Sequence, residues 1–248
     1  MISIKSEREI ELMREAGRYL QKTFKEIEKH IRVGVTTKEL DKVAHDYIIK
    51  NNCVPSCLGF EGFPATLCTS INDEVVHGIP SKRKLKNGDI VSCDLVLSYK
   101  GYHADATRTY IIGSVDKKTS DLVKNTKEAF MAGVKKVREG TRIKEISKAI
   151  EEYAHAHGLS IVEELVGHGI GAEMHEDPDV PNFDDGNNTR LKAGMVIAIE
   201  PMLNLGTKEV YLEEDEWTVK TYDGKPSAHY ENTVLVTKDG YEILTGED

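Results

Sequence analysis

Two stretches of this chain carry the same pattern of acids, and that repetition limits what the chain can fold into more than any other feature. Leu85-Lys86-Asn87-Gly88-Asp89-Ile90-Val91-Ser92-Cys93-Asp94 lines up with Leu191-Lys192-Ala193-Gly194-Met195-Val196-Ile197-Ala198-Ile199-Glu200. In both, a Leu-Lys-x-Gly turn leads into an apolar strand that ends on a carboxylate. Further on, His103-Ala104-Asp105-Ala106-Thr107 matches His229-Tyr230-Glu231-Asn232-Thr233, again acid on acid. Drifting surface positions have no reason to match in pairs and in order. The repeat predicts two related halves about a pseudo-two-fold axis, with Asp94, Asp105, Glu200 and Glu231 converging near it.

Asp94 directly follows the apolar run Ile90 to Cys93, a costly place for a charge unless something neutralises it. Leu95 to Leu97 reads as a strand, Lys100-Gly101 as a turn and Tyr102 to Ile112 as a second strand, so one hairpin offers Asp94 and Asp105 from opposite arms. Four converging carboxylates do not all ionise without a compensating charge. Divalent metal is the natural partner, and several oxygen donors around two ions is the usual layout. His168 joins the candidate set because glycines bracket it in Leu165-Val166-Gly167-His168-Gly169-Ile170-Gly171. Glycine leaves the ring accessible and lets backbone approach closely. Asp94, Asp105, His168, Glu200 and Glu231 together favour Mn, Fe, Co or Zn over a thiolate-type structural zinc, and exceed what one ion needs.

Composition narrows the class. A formal net charge of −9 argues against nucleic acid as the main partner, although Ser81-Lys82-Arg83-Lys84 is a local basic patch. No apolar run approaches the ~20 residues of a membrane span, and the N-terminus turns charged at once, unlike a signal peptide. Cys53, Cys57, Cys68 and Cys93 contain no C-x-x-C pair and read as free thiols in a reducing cytoplasm. With 39% hydrophobic and 30% charged residues, the chain reads as globular, one domain over 1–248 made of two related halves.

Along the chain, Ile10, Met13, Ala16, Leu20, Phe24 and Ile27 predict a helix from residue 6 to about 30. Thr36 and Glu39 form a capping box for a second, ending at Asn51-Asn52. Two more are expected, Ser120 to Arg138 with Gly140 as its C′ residue, and a helix carrying Ile143, Ile146, Ile150, Tyr153 and Ala154 that stops at Gly158. Between Cys53 and Pro80, Cys57, Phe60, Phe63 and Cys68 either line a pocket or form satellite core, and His77 is either structural or functional. The order of strands, helices and strands predicts an α+β fold.

The motifs in order resemble the type I methionine aminopeptidases over nearly the whole length. They are Val76-His77-Gly78-Ile79-Pro80, Gly88-Asp89-Ile90-Val91 running into Asp94, Gly101-Tyr102-His103-Ala104-Asp105 and Gly167-His168-Gly169-Ile170-Gly171. They continue with Met174-His175-Glu176-Asp177-Pro178, Ile199-Glu200-Pro201-Met202, Trp217-Thr218 and Tyr230-Glu231-Asn232-Thr233. The resemblance implies the pita-bread fold, a pseudo-two-fold curved antiparallel sheet covered by helices. It also implies two divalent ions (Co, Mn, Fe or Zn), one held by Asp94, Asp105 and Glu231, the other by Asp105, His168, Glu200 and Glu231. A hydroxide between the ions would attack the scissile carbonyl and Glu200 would shuttle a proton. His175 would polarise the carbonyl or steady the tetrahedral oxyanion, and His77 would contact the peptide nitrogen. Cys57, Phe60, Phe63, Cys68, Met174 and Trp217, with His77 and His175, would bind the methionine. Phe60, Phe63 and Met174 depart from residues common in the family.

The implied substrate is the N-terminus of a nascent polypeptide with a small second residue, trimmed in the cytoplasm by a monomer that can associate with ribosomes. No membrane and no direct nucleic-acid function are expected. Because Ile2 is β-branched, the chain's own Met1 is expected to stay. Proline-specific relatives on this fold usually carry a further N-terminal domain, for which 248 residues leave no room. A binding module that had lost catalysis should have lost ligands.

Overall fold

The computed structural model describes residues 2–246; Met1, and the expectation that it is retained, lie outside them. Its helices begin at caps. α1 (Glu7–Glu28) starts at Ser6, whose hydroxyl accepts from the Glu9 N–H while the Glu9 carboxylate accepts from the Ser6 N–H at 2.7 Å. α2 (Thr37–Lys50) repeats that box with Thr36 and Glu39. α3 (Lys117–Val134) opens earlier than its apolar spacing implies because the Asp116 carboxylate accepts from the Thr119 N–H at 2.8 Å. α4 (Ile143–Ala156) stops just before Gly158, which takes φ +68°.

The expected run of α3 to Arg138, with Gly140 as its C′ residue, is corrected: the helix ends at Val134. Gly140, at φ +87°, is left-handed for another reason. Its N–H donates to the Leu191 carbonyl at 2.9 Å, as the Gly34 N–H, at φ +89°, donates to the Leu85 carbonyl at 2.8 Å. Both glycines tether a helix connection to the turn that leads into an acid-bearing strand. The same step relates the lone bridges Thr36–Lys84 and Arg142–Arg190. It is the step from Asp94 to Glu200, so the repeat extends to helices and connections that share little sequence.

Nine strands build the main sheet: β1 (Val54–Pro55), β2 (Cys68–Ile71), β3 (Ile90–Tyr99), β4 (Tyr102–Ile111), β5 (Gly167–Gly169), β6 (Glu176–Val180), β7 (Val196–Ile199), β8 (Glu231–Val236) and β9 (Tyr241–Ile243). Their order is β1–β3–β4–β8–β7–β5–β6, with β2 also pairing with β3 and β9 with β8. Every pairing is antiparallel. The halves meet where β4 pairs with β8, Thr107 opposite Glu231. β3 is longer than the Leu95–Leu97 expected, so Asp94 stands within it rather than before it. Lys100 and Gly101, both at positive φ, close the β3–β4 hairpin in two residues.

Strand alternation sorts the faces. Val91, Cys93, Leu95 and Leu97 of β3 and Ala104 and Ala106 of β4 pack with Leu20, Phe24 and Ile27 of α1 and Leu40, Ala44 and Ile48 of α2. Ile197 and Ile199 of β7 and Val234 and Val236 of β8 pack with Phe130 of α3 and Ile146 and Ile150 of α4. Asp94, Asp105 and Glu231 carry the opposite parity in their strands, and Glu200 follows Ile199, so all four acids fall on the face away from the helices. Two further three-stranded sheets, Glu74–Val76 with Val210–Leu212 and Val219–Thr221, and Ser160–Ile161 with Met202–Asn204 and Ser227–His229, flank this face. No helix among the described residues is long and apolar enough to cross a membrane.

Candidate metal centre and active site

Register across the sheet assembles the site. Cys68 of β2 stands opposite Asp94 of β3, Asp94 opposite Thr107 of β4, and Thr107 opposite Glu231 of β8. One row therefore runs thiol, acid, hydroxyl, acid. The Thr107 hydroxyl donates to Glu231 Oε2 at 2.9 Å. Across the axis, Thr233, the repeat counterpart of Thr107, donates to the Asp105 carbonyl and accepts from the Asp105 N–H, both at 2.9 Å. Each half thus steadies an acid of the other. Arg108 fastens the seam with donations to the carbonyls of Glu231 and Thr245 at 2.6 and 2.7 Å, stacked on Tyr230 at 4.7 Å.

His168 enters on β5. Its Nδ1–H donates to the Gly169 carbonyl at 2.9 Å, an assignment fixed by that partner, so Nε2 presents a lone pair. That atom lies 3.7 Å from Asp105 Oδ2 and 3.6 Å from Glu200 Oε1. The flanking glycines are needed for close packing: a Cβ on Gly167 would lie 2.4 Å from the Ala198 carbonyl oxygen, and on Gly169 2.1 Å from that of Asp177. The accessible ring expected from them is corrected, since the His168 side chain is 12% exposed.

A lone pair facing two carboxylates is repulsive unless a cation sits among them. Asp105 Oδ1 is buried with no hydrogen-bond partner, which costs free energy unless another ligand satisfies it. One donor atom from each of Asp105, His168 and Glu231 falls within a 4.8 Å cluster. Burial holds all four carboxyls above the usual carboxylate range; repulsion from neighbouring acids adds to this at Asp105, Glu200 and Glu231, while the Thr107 hydroxyl opposes it at Asp94 and Glu231. Burial, then the neighbouring His175, lowers His168 to about 4, so its ring is a neutral donor near neutral pH. These residues fit a divalent metal.

A pH dependence follows for the metal-free protein. Raised pKa values mean that these four carboxyls hold more protons in the folded chain than in the unfolded chain once pH exceeds about 4, so their contribution to stability falls as pH rises. Metal needs the same groups deprotonated and works the other way. The gap in melting temperature between Mn-loaded and chelated protein is expected to widen from about pH 5 to about pH 8, measured by calorimetry. A gap that stays constant would contradict the repelling cluster.

The acids line a cavity of about 440 Å³, together with Cys57, Phe60, Phe63, Cys68, His77, His168, Met174, His175 and Trp217. Every residue named from the sequence as a candidate metal ligand, catalytic group or methionine-pocket residue therefore borders the same space. Of the residues read as either pocket or satellite core, Cys57, Phe63 and Cys68 are both, packing with Val96, Met174 and Trp217 while lining the cavity, whereas Phe60 lines the cavity but is exposed and outside that cluster. Phe63 meets Trp217 edge-on at 5.1 Å, and His175 meets His168 at 4.4 Å and Phe60 at 5.4 Å. His77, at φ +59°, holds a strained backbone conformation, common where a side chain must be aimed. Gly78 permits the tight path behind it, since a Cβ there would lie 2.3 Å from the Thr69 carbonyl oxygen.

Sequence reasoning missed Val76, Leu165 and Met202 in the cavity wall, Glu61, Glu164 and Asp179 also on its lining, and Thr107 beneath it. Signals existed for three of them: Val76 and Met202 stand in the motifs quoted above, and Thr107 matches Thr233 in the repeat.

Residues 11–238 match the profile of metallopeptidase family M24. The chain belongs to that family. It is 48% identical to a methionine aminopeptidase of Clostridium perfringens, over 99% of both chains. It superposes on the crystal structure of methionine aminopeptidase from Rickettsia prowazekii with a TM-score of 0.97 and 41% identity, covering 99% of this chain and 100% of that one. A prolidase from Pyrococcus furiosus is more distant, with a TM-score of 0.76 and 26% identity, covering 99% of this chain and 66% of that one. Within the family, the chain groups with the methionine aminopeptidases of the short bacterial type, and its architecture is the pita-bread fold.

Proposed function

We infer that this metal-dependent methionine aminopeptidase acts through one catalytic unit built from both halves of the chain, binds two divalent ions and trims polypeptides whose second residue is small. The observation that carries this reading is the set of four acids, Asp105 and Glu231 buried and Asp94 and Glu200 half-buried, gathered with His168 Nε2 on the lining of one sulfur-bearing cavity. Asp94, Asp105 and Glu231 would hold one ion, and Asp105, His168, Glu200 and Glu231 the other, with Co, Mn, Fe or Zn all compatible with such donors. When bound, the ions supply Lewis acidity and a nucleophile acidified from water.

The chain's own residues do the rest. Cys57, Phe63, Cys68, Met174 and Trp217, with Phe60 at the mouth, enclose the methionine side chain in a surface suited to a polarizable thioether. Glu200 takes a proton from the attacking water and passes it toward the leaving amine. His175, whose pKa burial lowers despite the opposing pull of Glu61, is neutral near pH 7 and donates an N–H to the carbonyl oxygen as it gains charge. His77 contacts the scissile nitrogen. A cavity of about 440 Å³ that must hold the ions and a methionine leaves little space for a branched second side chain. All five donors come from one chain, as a monomer requires; nascent N-termini in the cytoplasm, reached at the ribosome, are the substrates this reading proposes.

Peptides test this reading. Met-Ala-Ser should be cleaved after methionine, and Met-Ile-Ser at least ~10²-fold more slowly in kcat/KM. Release of alanine from Ala-Pro-Ser at a comparable rate would favour a proline-specific activity instead.

A further inference from the structure

The repeat contains a pair of histidines that the mechanism above does not use, His103 and His229. The two have diverged in place. His103 Nδ1 meets the Gly171 carbonyl at 3.1 Å near the surface. His229 is 2% exposed, and neither ring nitrogen has a hydrogen-bond partner. A buried imidazole with both nitrogens orphaned is costly, so its immediate surroundings are informative.

His229 ends the strand Ser227–His229, opposite Met202 of the cavity wall. One hydroxyl fixes its backbone, since Thr109 Oγ1 donates to the His229 carbonyl at 2.8 Å and accepts from the His229 N–H at 3.1 Å. Held this way, Nε2 lies 3.6 Å from Glu200 Oε2. The other oxygen, Glu200 Oε1, lies 3.6 Å from His168 Nε2. The Glu200 carboxylate therefore sits between two imidazoles, one oxygen to each. Its backbone is held as well, because Asn182 Nδ2 donates to the Glu200 carbonyl at 3.2 Å.

We propose that His229 is a positioning residue for Glu200: its Nε2–H donates to Oε2 and thereby keeps Oε1 turned toward His168. A shift of roughly half an ångström brings the pair to hydrogen-bond distance. The consequence for chemistry rests on the metallopeptidase reading above, in which Glu200 is both ligand and proton carrier. Outer partners of ligating carboxylates and imidazoles fix their orientation, and losing one lowers metal affinity or activity by roughly 10–100-fold.

The test compares His229→Leu, which keeps bulk and removes the donor, with His229→Gln, which retains an N–H. His229→Leu is expected to lower kcat on Met-Ala-Ser by roughly 10–100-fold, to leave KM within about threefold, and to weaken Mn binding to the metal-free protein in calorimetry. Its metal-free form should melt within a few degrees of wild type, because the substitution keeps the bulk and removes a buried nitrogen, Nδ1, that has no hydrogen-bond partner. His229→Gln should restore kcat to within a few-fold of wild type. Full activity and unchanged Mn affinity in His229→Leu, or a His229→Gln as impaired as His229→Leu, would overturn the proposal. Ring-nitrogen NMR of the wild-type protein provides an arm independent of catalysis and of the folding of the His229 variants. The neutral Nε2–H tautomer is expected, with a resonance that moves in Glu200→Gln, and an Nδ1–H tautomer contradicts the contact. Absence of wild-type peptidase activity would count against the functional reading alone, leaving the NMR and affinity arms to decide on His229.

Discussion

Replacing Asp105 or Glu231 by alanine is expected to lower kcat/KM on Met-Ala-Ser by at least ~10³-fold, or roughly 4 kcal/mol of transition-state stabilisation. Both side chains are almost fully buried, at 4% and 2% exposed, and both stand at the seam between the halves. They are the two acids assigned to both ions, so each loss strips a donor from each. Asp94→Ala, His168→Ala and Glu200→Ala should each be less severe for metal binding. The loss should not be one of folding, because either change removes a member of a mutually repelling buried cluster. The metal-free variants should therefore melt within a few degrees of wild type. Full activity in either variant would end the two-ion assignment; a collapse in melting temperature would mean that the acids hold the fold together instead.

His175→Ala is the second large effect, and it separates binding from chemistry. The ring sits at the cavity mouth, held edge-on by His168 at 4.4 Å and Phe60 at 5.4 Å. A donor that bonds strongly only to the developing oxyanion contributes to kcat and little to KM. The expected loss in kcat is ~10²–10³-fold, about 2.7–4 kcal/mol, with KM within a few-fold. A rise in KM at constant kcat would show that His175 only holds substrate.

The site was legible in the sequence because its chemistry is attached to a repeat. Asp94 pairs with Glu200 and Asp105 with Glu231 in a linear alignment, and a charge placed after four residues of apolar strand asks for a reason. The ends of α1 and α2 were legible for a similar cause, since their caps and apolar spacing are local. What escaped reading depends on register between strands distant in sequence. Nothing near Thr107 says that it will face Glu231 across the axis, and nothing near His229 says that it will lie against Glu200. The length of β3 escaped too, because pairing on both flanks extends a strand through an acid that the local pattern treats as its end. Gly140 was misread from a true signal: its left-handed backbone is real, but the tether to Leu191 needs it rather than the end of α3. The glycines around His168 were read for the ring they flank, whereas the carbonyls of Ala198 and Asp177 set the requirement.

The central claim, that these five residues make the chain a two-ion peptidase for N-terminal methionine, is tested most directly by reconstitution. Exhaustively chelated protein is titrated with Mn, Fe or Co, and bound metal and Met-Ala-Ser cleavage are measured on the same samples. The account predicts no activity without metal, recovery on addition, and saturation at two ions per chain in wild type, with weakened binding in Asp105→Ala and Glu231→Ala. Cleavage that persists in chelator, or wild-type protein that binds no divalent ion at these residues, would contradict it.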